Sequence, residues 1–324
     1  MMGSMNILLA TDGSAGAVEA RDLLASLPLD ASTEIHLLGA YEVPMQWAPG
    51  LGTGTAVWLD DMDHDLRDEL TELLSVQAEP LRARGLAVTE GVVRGRPATA
   101  IIEAAAALGT DLIVAGSRGR GPVTSTLLGS VATEVANEAP CSVLVARSAR
   151  VEHLLVATDG SPTSARIPDY LASWNLFRGL PADVVAVSIP DSPTFELIVG
   201  LYTLGDQRLA DKRRELRDEY AADASAMASR LESIGIPATE HVRNGDPAGE
   251  IMDAAREHGA DLVITGTRGR GALQSLLLGS VARKILAHAD ASVLVVREPG
   301  PVSGRRAPDG DARADHPDPR ARGA

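Results

Sequence analysis

The chain of 324 residues carries a formal net charge of −14, which argues against the basic face that nucleic-acid phosphates require. Hydrophobic residues make up 45% but aromatics only 3%, so the core must come from Ala, Val, Leu and Ile, a composition that suits buried parallel strands. The single cysteine, Cys141, excludes an intramolecular disulfide, no apolar run reaches the about 18 residues of a membrane span, and the start MMGSMNILLATDGS has no charged leader, so a cytoplasmic location is expected.

In chain order, the apolar run Ile7–Ala10 reads as a buried strand that ends at the turn signal Asp12-Gly13. A helical pattern over Ala15–Leu27 leads to a second strand, Ile35–Ala40. The stretch PMQWAPGLGTGTAVWLDD is too long for a plain connection and reads as a lid or interaction loop before a helix at about Asp61–Arg84. GLAVTEGVVR alternates apolar and polar residues and reads as a half-exposed strand. Ala98–Leu108 (helix), Leu112–Ala115 (strand), Ser130–Glu138 (helix) and Val143–Ala146 (strand) complete a unit. Gly85, Gly109 and Gly235 stand where a helix C-cap is expected.

The unit then repeats. NILLATDGS returns as HLLVATDGS, CSVLVAR as ASVLVVR, and AGSRGRGPVTSTLLGSVA as TGTRGRGALQSLLLGSVA. Residues 1–148 and 151–298 are therefore predicted to be two copies of one domain. Strands alternating with helices predict right-handed βαβ units and a mostly parallel sheet covered on both faces. The second copy has its own long connection, PDSPTFELIVGLYTLGDQ, and Trp47 and Trp58 in one loop and Phe195 and Tyr202 in the other are candidates for partner contacts or for packing over the unit's own site. Residues 299–324 are Pro, Gly, Asp and Arg with almost nothing to bury, and are expected to be disordered.

The chemistry lies in the glycine spacing. Gly116, Gly119 and Gly129, and again Gly266, Gly269 and Gly279, run from the end of a buried strand to the start of a helix. A strand C-terminus facing a helix N-terminus is where open α/β sheets bind ligands, and the unpaired first-turn amides favour an anion. Ser130 and Ser280 follow as helix cap or phosphate ligand. A glycine-rich turn before an ordinary Ser N-cap remains the alternative, and duplication alone could preserve it. Arg118, Arg268, Arg120 and Arg270 flank the glycines as phosphate ligands or as solvent-exposed loop residues. Arg283-Lys284, in the first turn of the second unit's motif helix, oppose its dipole and would be better tolerated beside a phosphate, from which tighter triphosphate binding at the second site is expected.

With this motif in both copies, the chain resembles the nucleotide-binding branch of the universal stress protein family over Asn6–Arg147 and His153–Arg297. The resemblance implies an adenine nucleotide alpha hydrolase-like fold: two tandem open parallel five-stranded sheets, each in the order 3-2-1-4-5. It implies ATP as ligand at one site per domain, with Mg2+ or Mn2+ held through its phosphates. Carried onto this sequence, it places Thr11, Asp12, Thr158 and Asp159 beside the nucleoside and the backbones of Ala40 and Val187 against adenine. The motif glycines, Ser130, Ser280 and the amides of Val131 and Val281 would hold the phosphates. A turn role for the aspartates of TDGS is an equal alternative. The resemblance further implies pairing through the last strand, so that the two units form a pseudo-dimer, and a homodimer of whole chains.

No P-loop, Gly-x-Gly-x-x-Gly or His-x-Gly-His motif is present, and no general base is evident, so fast hydrolysis is not expected. LDDMDHD reads as an acidic helix start rather than a metal site. His36, His153, His241, His258 and His288 are scattered, without metal-ligand spacing, and Cys141 reads as a packed thiol. The expected function is an ATP-binding stress-response regulator acting through unidentified protein partners. A slow ATPase or phosphotransfer enzyme and a nucleotide-free scaffold are the alternatives.

Overall fold

The computed structural model describes residues 5–43, 54–119, 128–188, 206–267 and 278–298. The first half runs β1 (Asn6–Ala10), α1 (Ala15–Ser26), β2 (Glu34–Tyr41), α2 (Gly54–Arg82), β3 (Ala87–Arg94), α3 (Pro97–Leu108), β4 (Leu112–Gly116), α4 (Ser130–Glu138) and β5 (Ser142–Ala146). The second runs β6 (Leu154–Thr158), α5 (Pro162–Ala165), α6 (Ile167–Trp174), β7 (Ala182–Ser188), α7 (Asp206–Ser233), β8 (Ala238–Asn244), α8 (Pro247–His258), β9 (Leu262–Gly266), α9 (Ser280–His288) and β10 (Ser292–Val296).

Each half has the strand order 3-2-1-4-5, and the two are joined into one ten-stranded sheet, β3-β2-β1-β4-β5-β10-β9-β6-β7-β8. Every pairing is parallel except the central one, where β5 and β10 run antiparallel with Leu144 opposite Leu294. The side-chain period of two sends alternate strand residues to opposite faces. Ile7, Leu9, Leu144, Leu154 and Leu294 share one core with α1, α2, α6 and α7. Leu8, Val143, Val145, Leu155, Val293 and Val295 share the other with α3, α4, α8 and α9. Both cores cross the β5–β10 seam without interruption.

Side chains clasp this seam reciprocally. Arg147, just past β5, donates its guanidinium to the Leu286 carbonyl near the end of α9 and, at 3.4 Å, to Ala291. Arg297, just past β10, donates to Ala139 and, at 2.9 and 3.1 Å, to Ala136 and Asn137 at the end of α4. Each half thus supplies the cation that meets the last carbonyls of the other half's helix. Ser142 and Ser292, both buried, each accept the backbone N–H of the opposite arginine at 3.0 Å. Burial first, and the charge of Arg118 second, lower the Arg147 pKa.

The structure departs from expectation in two places. Helix α2 begins at Gly54 rather than at about Asp61, because the Gly-Thr punctuation of GLGTGT disguises a helix start as loop. The helix after β6 is broken at Arg166 into α5 and α6; Pro168 has no N–H with which to continue the ladder. The expected pairing through the last strand is present, β5 with β10, and it joins the two five-stranded sheets into one. The remaining parts of the long connections, 44–53 and 189–205, and the tail 299–324 lie outside the described residues, and with them Trp47, Phe195 and Tyr202; the Trp58 side chain does too.

The three predicted cap glycines adopt positive φ, +80° at Gly85, +62° at Gly109 and +85° at Gly235. Cys141 is buried before β5, and burial pushes its thiol up to about 12. Iodoacetamide at pH 8 is therefore expected to label the native chain far more slowly than the urea-unfolded chain; equal rates would show that the thiol is open to solvent.

Candidate functional site

At the C-terminal ends of β1, β2 and β4, where the strand order turns back, the first half opens a cavity of about 530 Å3. Its apolar part is lined by Ala10, Leu38, Ile101, Ala115 and Leu128, and its polar part by Thr11, Asp12, Ser117, Arg118, Gly119 and the turn Gly129-Ser130-Val131. Ala40 and Gly116 also line it, so the structure brings all nine residues expected of the first site into one concavity.

Ala40 is placed by register. The carbonyl of Leu38 accepts the Thr11 N–H at 3.0 Å, so Leu38 presents its backbone to β1. Two residues on, Ala40 presents its amide and carbonyl to the same side, where β1 has already ended. Val187 stands likewise in β7. The carbonyl of Ser188 accepts from Gly245 as that of Tyr41 accepts from Gly95, at 3.2 and 2.8 Å.

Asp12 makes the turn and also faces the cavity. One carboxylate oxygen accepts the Ser14 N–H at 2.9 Å in an Asx turn, and the carboxylate also lines the cavity. Ser14, whose hydroxyl accepts from Ala17, is the cap of α1. In the second half Asp159 accepts from Ser161 N–H at 3.0 Å and from the Ser164 hydroxyl at 2.9 Å, and Ser164 also receives the Thr158 hydroxyl.

The motif glycines answer to close approach, since Gly116, Gly119 and Gly129 are all absent from the positive-φ residues. A Cβ on Gly116 would fall 2.4 Å from the Gly16 carbonyl, which lets β4 seat directly on the start of α1. A Cβ on Gly119 would meet the Asp12 carboxylate at 2.7 Å. Gly129 is the N-cap of α4, and its N–H donates to the Ser117 carbonyl at 2.8 Å. Gly279 donates to Thr267 at 2.7 Å in the same way. These bonds pin both ends of the spacer, so the residues between are free to vary. Ser130 and Ser280 are the first helical residues and not the caps; neither Gly129 nor Gly279 supplies a side-chain bond, which leaves the first-turn amides beside Val131 and Val281 uncapped.

Of the second set, Thr158, Asp159, Val187, Gly266, Gly279, Ser280 and Val281 occupy the equivalent strand and helix ends. Arg268 and Gly269 lie outside the described residues, as do Arg120 and Arg270. Arg283 and Lys284 have other partners than the expected anion: Arg283 donates to the Leu278 carbonyl at 2.9 Å, and Lys284 pairs with Asp246 at 3.3 Å. The first half holds the same bridge with its charges exchanged, Arg96 to Glu134 at 2.6 Å. Both cations of the basic pair thus have a partner within the chain.

The apparent scatter of the histidines is also corrected. Strand pairing brings His153, His241 and His258 together on Asp183, far from the cavity in sequence and in place. Sequence spacing could not show this, because the four residues come from β7, β8, the end of α8 and the residue before β6.

The profile of the universal stress protein family matches residues 4–147 and 150–297. Over nine-tenths of this chain, a universal stress protein of Mycolicibacterium smegmatis is 26% identical (90% of this chain, 96% of that one). One from Mycobacterium tuberculosis (strain H37Rv) is 27% identical, covering 90% of this chain and 94% of its own. The crystal structure of a universal stress protein from Archaeoglobus fulgidus superposes with a TM-score of 0.60 at 21% identity, covering 90% of this chain and 98% of that one. That likeness speaks to the fold.

Proposed function

Because this chain belongs to the universal stress protein family, as two units in tandem, we propose that the cavity of its first half binds ATP and that occupancy serves a nucleotide-dependent stress-response regulator. The observation that carries the reading is the uncapped start of α4 opening into a cavity whose other end is apolar. An uncapped helix start favours phosphate. The cavity volume of about 530 Å3 falls within the roughly 300–1,000 Å3 of small-molecule sites. Adenine would rest between Leu38 and Ile101 against the open backbone of Ala40, with Thr11 and Asp12 at the ribose and Arg118 at the rim. The phosphates would meet the amides of Ser130 and Val131 and the Ser130 hydroxyl.

Asp12 is the sole carboxylate among the described lining residues, and it is already engaged by Ser14. A divalent ion would therefore be carried by the phosphates, and no other described lining residue offers a carboxylate or imidazole as a base for water. The second half would bind a second ATP at the equivalent strand ends. Pairing of whole chains, and protein partners that read occupancy, complete the proposal.

The test is to denature the purified protein, count the nucleotide it releases, and then titrate ATP into the stripped chain. Released adenine nucleotide, or a melting temperature raised by saturating ATP, supports the reading, since a ligand of the folded state must stabilise it. Absence of both would sink it. Gly119→Ala is expected to weaken ATP binding about tenfold, a loss of roughly 1.4 kcal/mol, because its methyl displaces the Asp12 carboxylate. Calorimetric titration of the variant reads this, with the nucleotide-free melting temperature little changed.

A further inference from the structure

We propose that Asp183, His241 and His258 form a binding site for a zinc-class divalent ion, at the other end of the second half's sheet from its nucleotide motif. The three residues offer one carboxylate oxygen and two imidazole nitrogens within 4.8 Å of one another. Three separate elements supply them: Asp183 near the start of β7, His241 in the neighbouring β8, and His258 as the last residue of α8. The Asp183 side chain is only 9% exposed, while the imidazoles are 30% exposed, so the carboxylate is fixed from within and water reaches the ring edges.

The distances fit an ion with small adjustment. His258 Nδ1 stands 3.5 Å from Asp183 Oδ2. That is poor for a hydrogen bond, but two ligand atoms at about 2.0–2.2 Å from one tetrahedral ion stand roughly 3.3–3.6 Å apart. His241 Nε2 lies 2.6 Å from the other carboxylate oxygen, Oδ1, so an ion shared by all three residues would take the place of that hydrogen bond. The two rings are 4.5 Å apart, tilted by 40°. His153 Nε2, 2.8 Å from Oδ2, holds the carboxylate in place from outside the ligand set. Imidazole with a single carboxylate selects zinc and its neighbours over magnesium and calcium, which take oxygen shells.

The fold does not require the cluster. Counting along the paired strands and helices, the first half has Asn6, His36, Gly91 and Leu108 where the second has His153, Asp183, His241 and His258. One copy holds the set and the other holds none of it in place, so the convergence belongs to this half alone. It is also independent of nucleotide binding.

The full chain, stripped of metal and nucleotide, is to be dialysed against zinc alone and its bound metal counted. One zinc per chain at micromolar free metal, unmoved by millimolar magnesium, is the expected result. His241→Ala/His258→Ala should weaken this at least about 100-fold, and His153→Gln about 10-fold, the range seen when outer-shell partners are lost. No stoichiometric zinc in the wild type, or equal binding by a folded double variant, overturns the proposal. Should the double variant not fold, the cobalt-loaded wild type decides. Intense tetrahedral visible bands support the site, and a spectrum like that of the free aqueous ion removes it.

Discussion

Gly116→Ala is expected to destabilise the first half far more than one methyl ordinarily would. The new Cβ would fall 2.4 Å from both the carbonyl carbon and oxygen of Gly16 and 2.7 Å from the Ala17 nitrogen. These are backbone atoms, so no side chain can swing aside, and β4 must move off α1. Overfilling of this kind costs about 1–3 kcal/mol, or roughly 2–4 °C of melting temperature per kcal/mol in a domain of this size. The duplicated half provides the control. At Gly266 the same methyl would meet the Thr163 Cγ2 at 3.3 Å and the Ser164 nitrogen at 3.5 Å, since Thr163 replaces Gly16 and the strand stands further from the helix. Gly266→Ala is expected to cost under about 1 kcal/mol. Thermal melts of the two variants side by side decide the matter; equal, small shifts would mean that the β4–α1 approach is looser than described.

Loss of the arginine clasp should have the second large effect. Arg147→Ala and Arg297→Ala each remove charge-assisted bonds to the last carbonyls of a helix in the opposite half. Each is expected to cost about 1.5–3 kcal/mol, the usual worth of hydrogen bonds to a charged group. Since both act at the seam, the double variant should unfold in two calorimetric steps where the wild type shows one, the halves parting before either melts. A single transition at the wild-type temperature would show that the β5–β10 strands and their apolar faces suffice alone.

Much of this was legible in the sequence because it was written twice. Ile7–Ala10, Leu112–Ala115 and Val143–Ala146 are apolar runs flanked by turn signals, and a buried parallel strand has few other appearances. The glycine spacing led to the wall of the cavity for the same reason. What stayed hidden depends on chain segments distant in sequence. Gly16 carries no signal by itself; its importance arises only when Gly116 lies on it. Asp183 reads as an isolated acid in a strand until three histidines converge on it. Arg147 and Arg297 look like ordinary charges after a strand, and only the antiparallel seam turns each toward the other half. Ser130 looked like a cap because Ser commonly is one, yet the backbone turn sits one residue earlier, at Gly129.

The β5–β10 seam also changes what evolution can do with the molecule. Two identical subunits meeting across a twofold axis must accept every substitution twice, and their union weakens on dilution. Here the two partners share one chain, so association carries no concentration dependence and a change on one side need not be mirrored on the other. The charge-exchanged bridges Arg96–Glu134 and Asp246–Lys284 record that freedom, as do Gly16 against Thr163 and the histidines gathered in one half only. Covalent linkage has released the pair from self-complementarity, leaving each half free to diverge from the other.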